Sequence, residues 1–251
     1  MILTLSGLTI KEYYRRKVLI VLFIMMLVVA GTGLLSNPFT LGIQGELMRD
    51  MALLFVELFG VFFSLALAST FLPNEMERKL LYPFLARGIS RGKYLWGKFV
   101  GISSILGFFN LVLGLELMLI LKLSTGTAHP LILGACFLFW IEDMVITAFS
   151  IWFSTFMTAP VSFASMVLLY ILGDISHIYA ETFTTGNSIM QFFILRVKSI
   201  IPYFDYFSIR AAVTHNYSVS FSYFASTTLY GFLYIVLAML FAEAVFLKKD
   251  L

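Results

Sequence analysis

Long apolar runs separated by short polar segments are the main pattern of this chain. They lie near residues 18–35, 51–72, 95–121, 131–156, 159–180 and 222–247. Each is close to the length of about 20 residues that crosses a bilayer as a helix. Lipid offers no partner for a bare peptide group, and the runs lack the alternation of barrel strands. The pattern predicts one all-α transmembrane domain over residues 1–251 with six transmembrane helices.

Composition supports the membrane class. The chain is 60% hydrophobic and 12% charged, whereas about 25% of the residues of a soluble domain are charged. Its single cysteine, Cys136, excludes an intrachain disulfide. The net charge of +3 is interpreted as membrane orientation, because no folded module is present to display a nucleic-acid surface. Membrane lipid is therefore an expected partner and nucleic acid is not.

The distribution of lysine and arginine predicts the orientation. Six spans put both termini on one side, and the segments on that side hold twelve of these cations against five on the other. The twelve are Lys11, Arg15, Arg16, Lys17, Arg78, Lys79, Arg87, Arg91, Lys93, Lys98, Lys248 and Lys249, and the five are Arg49, Lys122, Arg196, Lys198 and Arg210. We expect both termini in the cytoplasm and a multi-pass protein of a bacterial or archaeal cell membrane.

The two polar flanks outside the main loop have their own patterns. Residues 2–17 can form an interfacial helix with Leu5, Leu8 and Tyr13 on one face, or a basic flank that only sets topology. The span that follows is expected to be retained rather than cleaved. Residues 181–221 form an external segment, predicted as short amphipathic helices that dip into the outer leaflet through Phe192, Phe193, Ile200 and Tyr203.

Residues 73–94 form the most densely charged loop. Pro73 is expected to end the second span, and Asn74 with Glu77 has the spacing of a capping box that starts a new helix. Pro83 predicts a kink and Gly88 an end. The apolar residues at helical spacing are Met76, Leu80, Leu81, Phe84 and Leu85. The loop therefore predicts a short amphipathic helix along the membrane, either a docking surface or a solvated connector.

Five acids fall inside the predicted spans: Glu57, Glu116, Glu142, Asp143 and Asp174. Each costs about 2.5–3.5 kcal/mol if it faces lipid, so each should face protein or water. Glu142 and Asp143 point about 100° apart and cannot form one paired site. The other three lie in the outer halves of their helices, where they can line a vestibule. Interhelical hydrogen bonding is the favoured interpretation, with proton relay or substrate contact as the alternative.

Motifs for chemistry within this chain are weak. GKYLWGK at residues 92–98 has P-loop spacing, but Phe99 stands where a magnesium-binding hydroxyl is needed. The three histidines are scattered without metal-binding spacing. We therefore expect no enzyme active site, no metal and no cofactor in this chain.

The loop resembles a known family. Its sequence EMERKLLYPFLARGISR at residues 75–91, followed by Tyr94-Leu95 and Gly97-Lys98, resembles the first cytoplasmic loop of ABC type-2 exporter permeases. Gly88 stands where that family often has proline. Lys11-Glu12 with Arg15-Arg16 resembles the family's entry helix, and residues 201–207 resemble its outer segment. The subgroup it most resembles is the nitrous-oxide-reductase maturation permease.

The resemblance implies a permease subunit that dimerises with a second copy, identical or related, and sits on cytoplasmic ABC ATPase subunits, which bind ATP and magnesium. The loop would be the coupling helix between the second and third spans. Its coupling residues would be Glu75, Glu77, Arg78, Lys79, Leu80, Phe84, Arg87 and Arg91. Two alternatives stay open: a proton-coupled secondary carrier using Glu142, Asp143 or Asp174, and a membrane scaffold or sensor for an ATPase.

Overall fold

The computed structural model describes residues 2–15, 18–36, 44–77, 79, 83, 88–125, 130–182 and 201–249. These residues form helices and turns, with no strand among them. The helices are α1 (Ile2–Arg15), α2 (Val18–Ser36), α3 (Gln44–Glu77), α4 (Arg91–Thr125), α5 (Leu131–Ser154), α6 (Ala159–Thr182), α7 (Arg210–Thr214) and α8 (Phe221–Leu247), with a 3₁₀ turn at Phe204–Phe207.

Four of these helices, α3, α4, α5 and α8, are long and apolar enough to cross a membrane. Shorter apolar stretches, Ile20–Gly31 and Ala159–Asp174, lie in α2 and α6. These elements confirm an all-helical integral membrane protein with several spans. The count of six spans stays a prediction.

Helix α5 is the centre of the bundle. Helices α3, α4, α6 and α8 all pack against it, and most of its side chains are buried. Apolar groups such as Phe139 and Ile146 fill this core, but Glu142 and Asp143 are buried within it as well. The neighbouring helices must therefore supply polar partners to α5 as well as apolar surface.

Helix α1 packs along α4. Leu5, Thr9 and Tyr13 are buried, and the Tyr13 hydroxyl donates to the Leu67 carbonyl of α3 at 3.2 Å. Positions four apart share a helix face. Leu8, predicted on this face, is instead 54% exposed, because it lies about 100° around the helix from Thr9, the middle of the buried face. The side chains of Arg15 and Arg16 lie outside the described residues.

Helix α3 does not end at Pro73, as the sequence pattern predicted. It continues one turn further to Glu77, so Asn74 and Glu77 belong to its last turn and form no capping box. Two hydroxyls just before the proline donate back along the helix, Ser69 to the Leu65 carbonyl at 2.6 Å and Thr70 to the Ala66 carbonyl at 2.8 Å. Neither bond involves the Ser69 carbonyl, which is the group that Pro73 leaves without its helical donor.

Residues 201–214, before α8, pack on the bundle. Phe204 and Phe207 of the 3₁₀ turn are buried, and the turn contacts α5 and α6. Gly173 of α6 permits this approach, because a Cβ there would lie 2.5 Å from the Pro202 carbonyl. Tyr203 is half-buried and its N–H donates to the Tyr230 hydroxyl at 2.9 Å. Phe192, Phe193 and Ile200 lie outside the described residues.

Candidate functional site

The bundle has two polar ends. We call the end where α3 ends and α4 begins the loop end, and the opposite end, with the start of α3 and with α7, the far end. Charged side chains gather at both. Their burial and their partners differ, so the two ends are described separately.

An ionic joint lies where the loop leaves α3. Lys98 Nζ of α4 is 2.5 Å from Glu75 Oε1 of α3 and 3.2 Å from Glu12 Oε2 of α1. The side chains of Lys98 and Glu75 are each only 9% exposed. Lys98 Nζ also lies over the Phe71 and Tyr94 rings, 5.6 and 5.8 Å from their centroids. One ammonium group therefore holds three helices together at the start of the loop.

The loop is bounded by local turn signals. After α3, Lys79 takes a left-handed φ of 55°, and its N–H donates to the Met76 carbonyl at 3.1 Å. Gly88 has φ 77°, which L side chains rarely adopt. Ser90 then precedes α4 and accepts from the Lys93 N–H at 3.4 Å through its hydroxyl. The backbone at Gly88 thus explains why glycine suits this position.

A second fixture, the C-terminal clamp, lies where the chain enters α4. Arg91 Nη1 donates to the carbonyls of Phe246, Leu247 and Lys249 at 2.8, 3.2 and 2.7 Å. These carbonyls are at and just past the end of α8, where a cation is favourable. Lys249 Nζ in turn donates to the Thr155 carbonyl at 2.9 Å, at the end of α5. The clamp joins α4 to α8 and α5.

The four predicted coupling residues that the structure describes divide into two groups. Glu75 is buried in the ionic joint and Arg91 points into the C-terminal clamp, so both bind the chain itself. Glu77 and Lys79 are exposed. The remaining four, Arg78, Leu80, Phe84 and Arg87, lie outside the described residues.

Sequence reasoning missed the other members of these two fixtures: Glu12, Lys98 and Lys249. The only signal was chemical. Lys98 is a cation at the start of an apolar run and Glu75 an acid at the end of another, which makes pairing favourable if the helix ends meet. Lys249 was counted only for orientation. Nothing in the spacing of these residues shows which of them meet.

A pocket of about 370 Å³ opens at the far end, between the start of α3 and the segment that contains the 3₁₀ turn and α7. Its lining residues are Glu46, Leu47, Asp50, Asp205, Ser208, Arg210, Ala211, Thr214 and His215. Arg210 Nε lies 3.0 Å from Asp50 Oδ1, and its Nη1 lies 3.6 Å from Glu57 Oε2. We call this cavity the far pocket.

Three of the intramembrane acids face polar groups of other elements. Glu57 lies near the Ser208 side chain, and Glu142 lies near the Tyr170 hydroxyl of α6. Asp143 accepts from Asn110 Nδ2 of α4 at 2.8 Å. Glu142 and Asp143 therefore point to different helices, as their adjacency on α5 requires.

The predicted grouping of outer acids holds only in part. Glu57 lies beside the far pocket through Arg210 and Ser208. Neither Glu116 of α4 nor Asp174 of α6 lines this pocket. Glu116 has a buried Oε2 with no hydrogen-bond partner among the described residues, and Asp174 is exposed. Vestibule acids that sequence reasoning missed, Glu46, Asp50 and Asp205, precede the apolar runs or lie between them.

Comparison with known proteins agrees with the loop and the membrane helices. A family model described as ABC-2 family transporter protein matches residues 10–251. The match covers every described helix from the second half of α1 to α8. A search of curated proteins found no match to the chain.

Proposed function

The chain belongs to the ABC-2 transporter family, and on this premise we propose that it is the permease subunit of an ATP-driven exporter. Members of the family are membrane transport components that generally work with cytoplasmic ATPase subunits. In this proposal ATP and magnesium are bound by those subunits. A second permease copy completes the assembly, and both termini face the cytoplasm.

The observation that carries the proposal is that the chain is bonded to the helical bundle at both ends of the loop. At its start the ionic joint connects it to α1, α3 and α4, and at its end the C-terminal clamp connects it to α8 and α5. Hydrogen bonds to charged groups are short and about twice as strong as neutral ones. A displacement of the loop is therefore transmitted to the bundle at two separate points.

This arrangement assigns separate roles to the predicted coupling residues. Glu75 and Arg91 act as positioning residues, because their side chains are committed to the bundle. Glu77 and Lys79 are exposed and supply the described part of the surface that docks on the ATPase. Arg78, Leu80, Phe84 and Arg87 complete that surface in the proposal.

Co-purification tests the docking surface. The tagged chain is purified in detergent from its own host cell and assayed for a bound ATPase subunit and for ATP turnover. The double variant Glu77→Lys/Lys79→Glu keeps the net charge but reverses both exposed charges, so it should lose the bound subunit. Lys93→Glu is the control, since Lys93 is exposed on the first turn of α4.

The outcomes of the co-purification either support or contradict docking through these residues. Loss of the subunit in the double variant but not in Lys93→Glu, with both chains eluting as the wild type does, supports docking through Glu77 and Lys79. A wild-type chain that purifies folded but alone contradicts the proposal, and so does a double variant that keeps its ATPase.

A further inference from the structure

We propose that the far pocket binds a small organic cation that carries amino groups. This proposal goes beyond the proposed function and does not depend on the ATPase partner. It assigns a ligand class to a cavity on the end of the bundle opposite the loop. Three observations support it: the charge balance of the cavity, a buried hydroxyl that has no partner, and the size of the space.

Carboxylates outnumber cations around the far pocket. Glu46, Asp50 and Asp205 line it, and Glu57 lies behind Arg210 at 3.6 Å. Two guanidinium groups face these four carboxylates. Arg210 is shared between Asp50 and Glu57, and Arg49 Nη2 donates to the Thr214 carbonyl at 2.9 Å. Among the described residues, four carboxylates therefore face two guanidinium groups, and this excess of acids favours a cationic ligand.

Two of the lining carboxylates are the natural anchors for such a ligand. Among the described residues, Asp205 accepts a hydrogen bond from the Tyr203 hydroxyl at 3.0 Å, and Glu46 lies 3.8 Å from His215 Nδ1. Neither has lysine or arginine within ion-pair distance in the described parts of the chain. An ammonium group has three donors and no acceptor, so an amine with two such groups can pair with both carboxylates without displacing Arg210.

Thr214 supplies the independent observation. The residue lines the pocket and is only 6% exposed, and its Oγ1 is buried with no hydrogen-bond partner among the described residues. A buried polar atom left unsatisfied destabilises the fold unless something pairs with it. Rotation of the Thr214 side chain toward the cavity would let a ligand N–H donate to Oγ1 and remove that cost, which makes the hydroxyl a specific contact in the proposal.

The volume and the donor set narrow the ligand class. About 370 Å³ lies near the lower end of the roughly 300–1,000 Å³ range of small-molecule pockets. The described residues contain no group of three or more His, Cys, Asp or Glu side chains arranged to hold a metal ion. The carboxylates are instead spread around a cavity, which fits an extended amine better than a metal ion.

Spermidine titrated into the purified chain in detergent is the direct test, with isothermal calorimetry as the readout. The wild type should bind saturably. Glu46→Gln/Asp205→Asn removes both anchors and should weaken binding about tenfold or more. Thr214→Val keeps the side-chain shape but lacks the hydroxyl, and it should weaken binding about fivefold. Glu77→Gln removes a carboxylate at the loop end and should leave the affinity unchanged.

Absence of saturable binding by the wild type would overturn the proposal, and so would an equal affinity in the double variant and in Glu77→Gln. If the double variant does not fold, as judged by its elution and thermal unfolding, Thr214→Val decides the outcome alone. The titration uses the permease without ATPase. A failed titration therefore leaves the coupling proposal intact, and a failed co-purification leaves this one intact.

Discussion

The two ends of the bundle use the same ion-pair chemistry in opposite surroundings. At the loop end, the paired side chains of Lys98 and Glu75 are each 9% exposed. At the far end, the pair Arg210 and Asp50 is 32% and 44% exposed. The loop-end cation is enclosed by three helices, whereas the far-end pair borders an open pocket.

Burial decides what each pair can do. Water screens the charges of an exposed ion pair and can solvate either member if the other is removed. An exposed pair therefore contributes only about 0–1 kcal/mol to the free energy of unfolding. A buried pair cannot exchange partners with water, and removal of one member leaves an uncompensated charge. The loop end is therefore suited to transmit force, and the far end is suited to exchange its polar contacts with a ligand.

Lys98→Met should show the largest effect of any change considered for these two ends. It leaves Glu75 buried without its cation and should lower the free energy of unfolding by about 3–5 kcal/mol. Chemical unfolding of the detergent-solubilised chain measures the loss. Lys93→Met is the matched control, since Lys93 is exposed one turn earlier, and it should change stability by less than about 0.5 kcal/mol. Similar values for the two variants would contradict a buried joint.

Arg91→Met should have the second largest effect. It removes the donor to three carbonyls near the end of α8, and hydrogen bonds of charged groups contribute about 1.5–3 kcal/mol each. Because these carbonyls can turn toward water, we expect a net loss of about 2 kcal/mol by the same unfolding assay, together with reduced ATP turnover in the assembled complex. Lys248→Met is the control, because the Lys248 side chain is exposed just past the end of α8. A variant with normal stability and normal turnover would argue against the clamp.

The sequence predicted the helices well because run length and turn residues are local signals. The loop falls between the predicted second and third spans, and Gly88 has the left-handed φ that its position suggested. The extension of α3 past Pro73 was missed because it comes with tertiary support, the pairing of Glu75 in its last turn with Lys98 of α4. Pattern rules treat proline as a stop when they consider the backbone alone.

The contacts of the site could not be predicted in the same way. Lys98 and Glu75 are 23 residues apart, and Arg91 reaches carbonyls 155 to 158 residues away. Such pairs arise from helix packing, which no spacing rule encodes. For this reason the family resemblance assigned Glu75 and Arg91 to coupling without showing that their side chains contact the bundle. The residues that line the far pocket come from α3 and from the segment around α7, which are similarly far apart in the sequence. No single motif therefore indicated the pocket.

Gly60→Ala tests a third environment, the buried carboxyl in the middle of the bundle, and should have a smaller effect than either loop-end change. A Cβ at this position of α3 would lie 2.8 Å from Asp143 Oδ2. Overpacking costs about 1–3 kcal/mol, and alanine regains about 0.5–1 kcal/mol over glycine in a helix. We expect a net loss of about 1 kcal/mol in unfolding free energy.

The control for that change is Gly31→Ala in α2. A Cβ there meets nothing within 4 Å, so the substitution should stabilise the chain by about 0.5–1 kcal/mol. Opposite signs for the two glycines would identify the Asp143 carboxyl as the cause. Equal signs would mean that Asp143 moves freely and is not fixed between Asn110 and α3.

Asp50→Asn should have the smallest effect and gives the sharpest check on the difference between the two ends. It keeps the side-chain shape and removes one charge from a partly exposed pair, while Glu57 stays 3.6 Å from Arg210. We expect a loss of at most about 1 kcal/mol in unfolding free energy, shrinking further as salt is raised. A loss of the size expected for Lys98→Met would mean that Arg210 is a second fixed joint. The far end would then be built for stability like the loop end, and its acids would be held in place rather than open to exchange with a ligand.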